Sequence, residues 1–166
     1  MTSEHLLHTI PPIYDGNSKI LILGSFPSVK SREVSFYYGH PQNRFWRVLA
    51  AVLGCAVPSS NEEKTALLQS HNIALWDVIK SCDIVGSSDS SIKNVVPNDI
   101  GVILSSCGIR QIYSNGKTSE KLFNKYIKDT VGRDTVALPS TSPANASYNL
   151  ERLTAVSYTH LRAHET

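Results

Sequence analysis

The sequence predicts a three-layer α/β/α domain built on a mainly parallel central sheet of four strands. Three observations carry this. Short apolar, β-branched runs alternate with amphipathic runs of helical period along the chain, the pattern of an α/β fold with a parallel sheet. The first strand, residues 19–23, is apolar on both faces, as a strand covered from both sides must be. Polar, turn-forming segments follow Leu23, Ile79, Ser114 and Leu138. In a parallel sheet those strand ends share one edge, so the four segments converge on one crevice.

Residues 3–15 read as an irregular lead-in, because Pro11 and Pro12 block a helix. The central strand opens into a long loop, GSFPSVKSREVSFYYGHPQN, starting at Gly24. Loops beyond ~12–15 residues are uncommon in compact domains and are often functional. The alternative is a surface Ω-loop with its aromatics tucked beneath it. Residues 44–53 place Phe45, Val48, Leu49 and Val52 at helical spacing, and Gly54 supplies a stop. Asn61 reads as the N-cap of a helix reaching Ser70, with Glu62 and Glu63 in its first turn. Residues 73–79 are the second strand, carrying Asp77.

Residues 80–94 contain GSSDSS and read as loop, since Ser and Asp favour turns. A short helix follows over 99–106, then a third strand over 110–114 that ends on Asn115-Gly116-Lys117. Residues 118–128 are a helix with Leu122, Phe123 and Tyr126 on one face. The fourth strand, 134–138, runs into Pro139-Ser140-Thr141-Ser142-Pro143-Ala144-Asn145-Ala146 and a helix from about Ser147. There is no internal repeat.

A chain of 166 residues, 41% hydrophobic, suits one domain with one core. The net charge of +2 is a mild basic balance, compatible with a nucleic-acid partner. No apolar run approaches the ~18 residues of a membrane span. The N-terminus lacks the basic and apolar regions of a signal peptide, so a cytoplasmic location is expected. Cys55, Cys82 and Cys107 are widely spaced and form no CxxC, which reads as buried thiols in a reducing compartment. They assemble neither a zinc site nor an iron–sulfur cluster, and no metal or cofactor is expected.

Residues 156–166, VSYTHLRAHET, back-translate with ordinary codons into a sequence resembling the transposase mosaic end and adapter of sequencing libraries. The expectation is that they are adapter read-through, that the native domain spans 1–155, and that its last helix is cut short near Ala155. His160 and His164 are thereby removed from any metal argument.

Asn43, Asn115 and Asn145 sit in three of the converging segments and Asp77 on the second strand. Amides offer donors and an acceptor, suited to reading a base edge or holding a water rather than to nucleophilic attack. GSFPS is not the GxSxG elbow, and no GxxxxGK[ST] phosphate loop is present. Phe26, Tyr37 and Tyr38 can form an aromatic platform, where stacking one base is worth ~1–3 kcal/mol. Core packing of Phe26 and one tyrosine is the competing reading. Lys30, Arg32, Arg44 and Lys117 flank the loops, as phosphate contacts or as a solvated rim.

Three stretches carry a resemblance: Gly24-Ser25-Phe26-Pro27-Ser28, Tyr38-Gly39-His40-Pro41-Gln42-Asn43-Arg44-Phe45-Trp46, and Pro139 to Asn145. Together they resemble the uracil-DNA glycosylase superfamily. The HPxNRFW run is that of its mismatch-specific branch, and the GS[FM]P-type first motif with a serine-rich last motif is closest to the hypoxanthine (deoxyinosine) DNA glycosylase family. The resemblance implies a monomeric, cofactor-free and metal-free enzyme that flips a deaminated base out of double-stranded DNA and hydrolyses its N-glycosidic bond. It makes Asn43 the essential amide and Asn115 a second candidate. Phe26, Tyr38, His40 and Asp77 would contact the base. Ser28, Lys117, Ser140, Ser142, Pro143, Ala144 and Asn145 would contact the DNA.

Two positions depart from the pattern. Phe26 stands where other branches have a catalytic Asp or Asn, and Ser140 where the uracil branch has a His. A uracil or thymine mismatch glycosylase and a catalytically silent nucleic-acid-binding domain are therefore the alternatives.

Overall fold

The computed structural model describes residues 2–161. In chain order the strands are β1 (Glu4–Leu7), β2 (Ile20–Gly24), β3 (Ile73–Asp77), β4 (Ile79–Ile84), β5 (Lys93–Pro97), β6 (Gln111–Asn115) and β7 (Thr135–Leu138). The helices are α1 (Val29–Val34), α2 (Phe45–Leu53), α3 (Asn61–Ser70), α4 (Gly101–Ser106), α5 (Lys117–Tyr126), α6 (Lys128–Val131) and α7 (Leu150–Leu161).

The central sheet has the order β3-β2-β6-β7, and all three pairings are parallel. Gly24 pairs with Asp77, Leu23 with Ser114, and Asn115 with Leu138. All four strands therefore end at one edge. Alternation along β2 sends Ile20 and Ile22 to one face, against Phe45, Leu49 and Val52 of α2, Leu68 of α3 and Leu153 of α7. Leu21 and Leu23 go to the other face, against Ile103 of α4 and Phe123 of α5. Every residue of β2 is buried, as its unbroken apolar run requires. The expected three-layer fold is the one observed.

The segments read as irregular hold a second sheet. β1 lies inside the expected lead-in, and β4 and β5 take up both ends of the expected 80–94 loop, forming an antiparallel sheet of order β1-β4-β5. Ile79, Cys82 and Ile84 make its small core, joined by Phe26. The single strand expected over 73–79 breaks at Val78. There the chain leaves the parallel sheet, with Val78 and Ile79 donating to the carbonyls of Gly24 and Ser25 at 2.9 and 3.1 Å. The Asn98 amide braces the break, donating to the Asp77 and Ile79 carbonyls at 2.9 and 3.1 Å.

Smaller corrections have local causes. The long loop holds α1, capped by Ser28, whose hydroxyl accepts from Ser31 N–H at 3.1 Å. Ser60 rather than Asn61 caps α3, accepting from Glu63 N–H at 3.1 Å, while the Glu63 carboxylate accepts from Ser59 N–H at 3.4 Å. Of the cysteines, Cys82 is buried but Cys55 is exposed, and all three are free thiols.

α7 begins at Leu150, later than expected, because residues 142–148 are held as loop by bonds described below. It does not stop near Ala155 but runs to Leu161. Leu153, Ser157 and Leu161 recur four residues apart, face inward and are 0%, 4% and 5% exposed. The Tyr113 hydroxyl donates to the His160 carbonyl at 3.1 Å. Residues 162–166 of the expected adapter tail lie outside the described residues. Removing residues 156–166 is expected to lower stability by about 2 kcal/mol, the scale for uncovering one leucine side chain. A urea-denaturation midpoint that does not move would show that the last turns contribute nothing. The adapter origin remains our proposal, and an independent assembly of the source locus that encodes VSYTHLRAHET followed by a stop codon overturns it.

Candidate active site

At the C-terminal edge of the central sheet lies an open crevice of about 1230 Å3. The residues that the resemblance assigns to base and DNA line it: Phe26, Ser28, Tyr38, His40, Asn43, Asp77, Asn115, Lys117, Ser140 and the Ser142-Pro143-Ala144-Asn145 run, whereas Arg32 and Arg44 do not. Parallel pairing places them together, because it brings the polar segments after β2, β3, β6 and β7 to the same edge.

Thr141 is the hub. Its backbone N–H donates to Asn115 Oδ1 at 3.2 Å, its hydroxyl oxygen accepts from Asn115 Nδ2 at 3.0 Å, and its hydroxyl donates to Asn43 Oδ1 at 2.9 Å. Thr141 is 5% exposed. Asn43 Oδ1 also accepts from Phe45 N–H at 2.9 Å, a bond that caps the start of α2. A backbone N–H can only donate, so this bond fixes which end of the amide is oxygen. Both lone pairs of Oδ1 are then engaged, and the Asn43 NH2 group is left as the donor toward the crevice. Asn115 spends a donor and an acceptor on Thr141, so it holds the loop that holds Asn43.

Arg44 does not reach outward for phosphate. Its guanidinium donates to the carbonyls of Ser142 at 2.8 Å, Asn145 at 3.2 Å, Thr141 at 3.4 Å and Tyr148. Asn145 Nδ2 donates to the Ser140 carbonyl at 3.0 Å, Ser142 N–H to Ser140 Oγ at 3.1 Å, and Ala144 N–H to Ser142 Oγ at 3.2 Å. The N–H groups of Ser142, Ala144 and Asn145 are thus used within the loop, and Pro143 and Ala144 form its exposed tip. Arg32 is likewise structural, donating to the Pro27 carbonyl at 2.9 Å and lying over the Phe26 ring. Lys117 stays exposed at the rim.

The aromatics separate into two roles. Tyr37 is core, 2% exposed, with its hydroxyl donating to the Pro11 carbonyl at 2.8 Å. Tyr38 stacks on Phe45 with centroids 4.1 Å apart and planes at 16°. It holds φ of 52°, a left-handed conformation that an aromatic residue seldom adopts outside functional sites. Its hydroxyl is buried without a hydrogen-bond partner among the described residues. Burial, reinforced by the charge of Asp77, pushes the Tyr38 pKa far up, so the group stays a neutral phenol. Phe26 packs edge-on to His8 with centroids 6.1 Å apart and is half core, half crevice wall. His40 accepts from Gln42 N–H at Nδ1, 3.1 Å away.

Asp77 ends β3 on the crevice floor, and His8 Nε2 bonds its Oδ2 at 2.8 Å. Gly24 permits this approach, since a Cβ there would run into Asp77 Oδ1 and meet the Tyr38 hydroxyl at 3.0 Å. Sequence reading missed three roles. Thr141 stood inside a motif whose asparagines drew attention, Arg44 read as a phosphate contact or a solvated rim, and His8 sat in a segment with no readable pattern. Among the described residues no group of three or more His, Cys, Asp or Glu could hold a metal ion, and no helix is long and apolar enough to cross a membrane.

Comparison with known proteins matches residues 11–162 to the family described as the uracil DNA glycosylase superfamily. A hypoxanthine DNA glycosylase of Methanosarcina barkeri is 36% identical over 137 residues, covering 81% of this chain and 85% of that protein. A hypoxanthine DNA glycosylase of Methanosarcina acetivorans is 35% identical over 144 residues, covering 86% and 90%. An NMR structure of a candidate uracil DNA glycosylase from Methanosarcina acetivorans superposes with a TM-score of 0.76 at 34% identity, covering 92% of this chain and 96% of that one.

Proposed function

The chain belongs to the uracil DNA glycosylase superfamily, and from that premise we propose that it is a monofunctional DNA glycosylase with deoxyinosine as its preferred lesion. It acts as a monomer on double-stranded DNA and hydrolyses the N-glycosidic bond of a flipped, deaminated base. The observation that carries this reading is the Asn43 amide, locked at its oxygen by Thr141 and Phe45 N–H in the crevice, with its NH2 bonded to no described residue.

The lesion cannot be reached inside the duplex and must be extruded. Pro143 and Ala144, at the tip of a loop braced by Arg44, press into the gap that the base leaves. Lys117 and the loop hydroxyls of Ser140 and Ser142 meet the backbone, which positions the duplex without reading its sequence. The free face of Tyr38 stacks on the base, and Phe26 walls the slot. As the glycosidic bond breaks, the sugar gains oxocarbenium character and negative charge moves onto the purine. The Asn43 NH2 donates to that developing charge, a contribution of ~3–4 kcal/mol for one well-placed donor. Asn115 and Thr141 keep the donor aimed.

Single-turnover assays on duplexes carrying inosine, uracil or normal bases test this. Release of hypoxanthine ahead of uracil supports it. Preferred release of uracil or mispaired thymine would move the chain to mismatch repair. Binding without release would make it a silent domain, the reading favoured by the absence of a polar group at Phe26. The stacking role has its own test. Tyr38→Ala should slow excision ~10–100-fold, the kinetic equivalent of losing a stacked base. Tyr38→Phe should be mild, because the hydroxyl it removes has no partner among the described residues. Equal losses in the two variants would sink the stacking role.

A further inference from the structure

The crevice has little net charge of its own with which to hold a duplex. Lys30 and Lys117 of its lining are matched by Asp77 and Asp89, and Lys30 lies 3.6 Å from Glu33. Arg32 and Arg44 spend their guanidinium groups on carbonyls of the protein. Arg152 is placed differently. It sits in the first turn of α7, four positions before Val156, and residues so spaced share a helix face. Val156 lines the crevice, as do Ser147 and Tyr148 just ahead of the helix. Helical side chains lean toward the N-terminus of their helix, which brings Arg152 back over that junction. Its guanidinium carbon stands 4.2 Å from the centre of the Tyr148 ring, and Nη1 donates to the Ser147 carbonyl at 3.3 Å. Tyr148 is anchored in turn. Its carbonyl accepts from Arg44, its N–H donates to the Asn145 carbonyl at 3.4 Å, and its side chain packs against the core. Arg152 itself is exposed, and the rest of its guanidinium bonds to no described residue.

DNA owes most of its sequence-independent affinity for proteins to cations that replace its counterions, and an arginine meets a phosphate through two parallel N–H···O bonds. A guanidinium already stacked on a ring has less freedom left to lose on making them. Resting on the glycosylase reading above, we propose that Arg152, held on Tyr148, binds a backbone phosphate of the lesion-bearing duplex beside the gap that Pro143 and Ala144 fill. The contact carries no sequence information and fixes the register of the duplex. Arg44 then serves both parts. It bonds the loop that fills the gap, and it bonds the carbonyl of the residue on which the cation rests. The competing role for the stack is to pin the start of α7, as the Asn149 side chain does in accepting the Arg152 N–H at 2.8 Å.

The test uses the full chain and a duplex with a stable abasic analogue at the lesion position, its binding followed from ~50 to 200 mM salt. Arg152→Gln should lower the slope of log K against log salt by about one and weaken binding ~3–10-fold at the low-salt end. Arg152 is exposed and glutamine is a good helix former, so the variant should fold. Arg152→Lys keeps the charge, so the slope should hold while part of the affinity is lost. Tyr148→Leu should likewise weaken binding at an unchanged slope, because the cation remains and only its support is gone. A single methylphosphonate removes one phosphate charge. At one position beside the lesion it should weaken the wild type and cost Arg152→Gln nothing. A merely structural role would lower thermal stability and leave both the slope and the methylphosphonate pattern as in the wild type. That result overturns the assignment, and so does a slope that falls as far in Arg152→Lys as in Arg152→Gln. Release of hypoxanthine from an inosine duplex is measured alongside. Salt-dependent binding without release overturns the glycosylase reading and leaves the phosphate contact standing, whereas an unchanged slope in Arg152→Gln with release intact does the reverse.

Discussion

Asn43→Ala is expected to lower the single-turnover rate of base release by ~10²–10³, the scale for losing one essential transition-state donor. The same substitution removes the acceptor for Phe45 N–H and for the Thr141 hydroxyl. A stability loss of about 1–2 kcal/mol should accompany it, as for other helix-start side chains. Asn43→Asp separates the two effects. The carboxylate still accepts both bonds but has no NH2, so stability should hold while the rate falls as in the alanine variant. A rate in Asn43→Asp close to wild type would remove the donor from the mechanism and leave Asn43 as a cap. A rate unchanged in both variants would remove the residue from catalysis altogether.

Arg44→Lys is expected to weaken the protein and its grip on DNA together. The guanidinium spans the carbonyls of Thr141, Ser142, Asn145 and Tyr148, which a single ammonium cannot reach at once. Bonds from charged donors are worth ~1.5–3 kcal/mol each, so losing two of them costs about 3 kcal/mol or more, a large share of a domain's ~5–15 kcal/mol. Thermal melting should show the loss, and excision should fall because the loop tip at Pro143 and Ala144 is no longer stiff. The salt dependence of DNA binding identifies the cause. A lost phosphate contact lowers the slope of log K against log salt by about one. Here the slope should stay as in the wild type, and a reduced slope would return Arg44 to the phosphate backbone.

The central sheet was readable because burial on both faces leaves a mark in the sequence. Ile20–Gly24 must be apolar throughout, and the helices that cover it must carry stripes such as Phe45, Val48, Leu49 and Val52. The small sheet left no such mark. β1 and β5 are largely exposed, so their residues are free to be polar, and they are strands only because β4 pairs with both. Pro11 and Pro12 argued correctly against a helix in the lead-in but say nothing about a strand ending at Leu7. α7 passed the expected end at Ala155 because Leu153, Ser157 and Leu161 happen to share a face.

What the sequence determined by itself is the α/β alternation, the parallel edge and the set of loops that meet there. Each of these follows from local apolar period and from turn chemistry written within a few residues. What only the tertiary structure decided is what each polar group is doing. Asn43 and Asn115 look alike in sequence, yet Thr141, nearly a hundred residues beyond Asn43, occupies the oxygen of one and both ends of the other. Arg44 reads as a surface cation until four carbonyls of the last loop close on it. His8 and Asp77 lie 69 positions apart and meet only because one sheet docks against the other. A hydrogen bond is directional and exclusive, so a side chain's free valence depends on every neighbour that the fold brings to it, and that is not a local property of the chain.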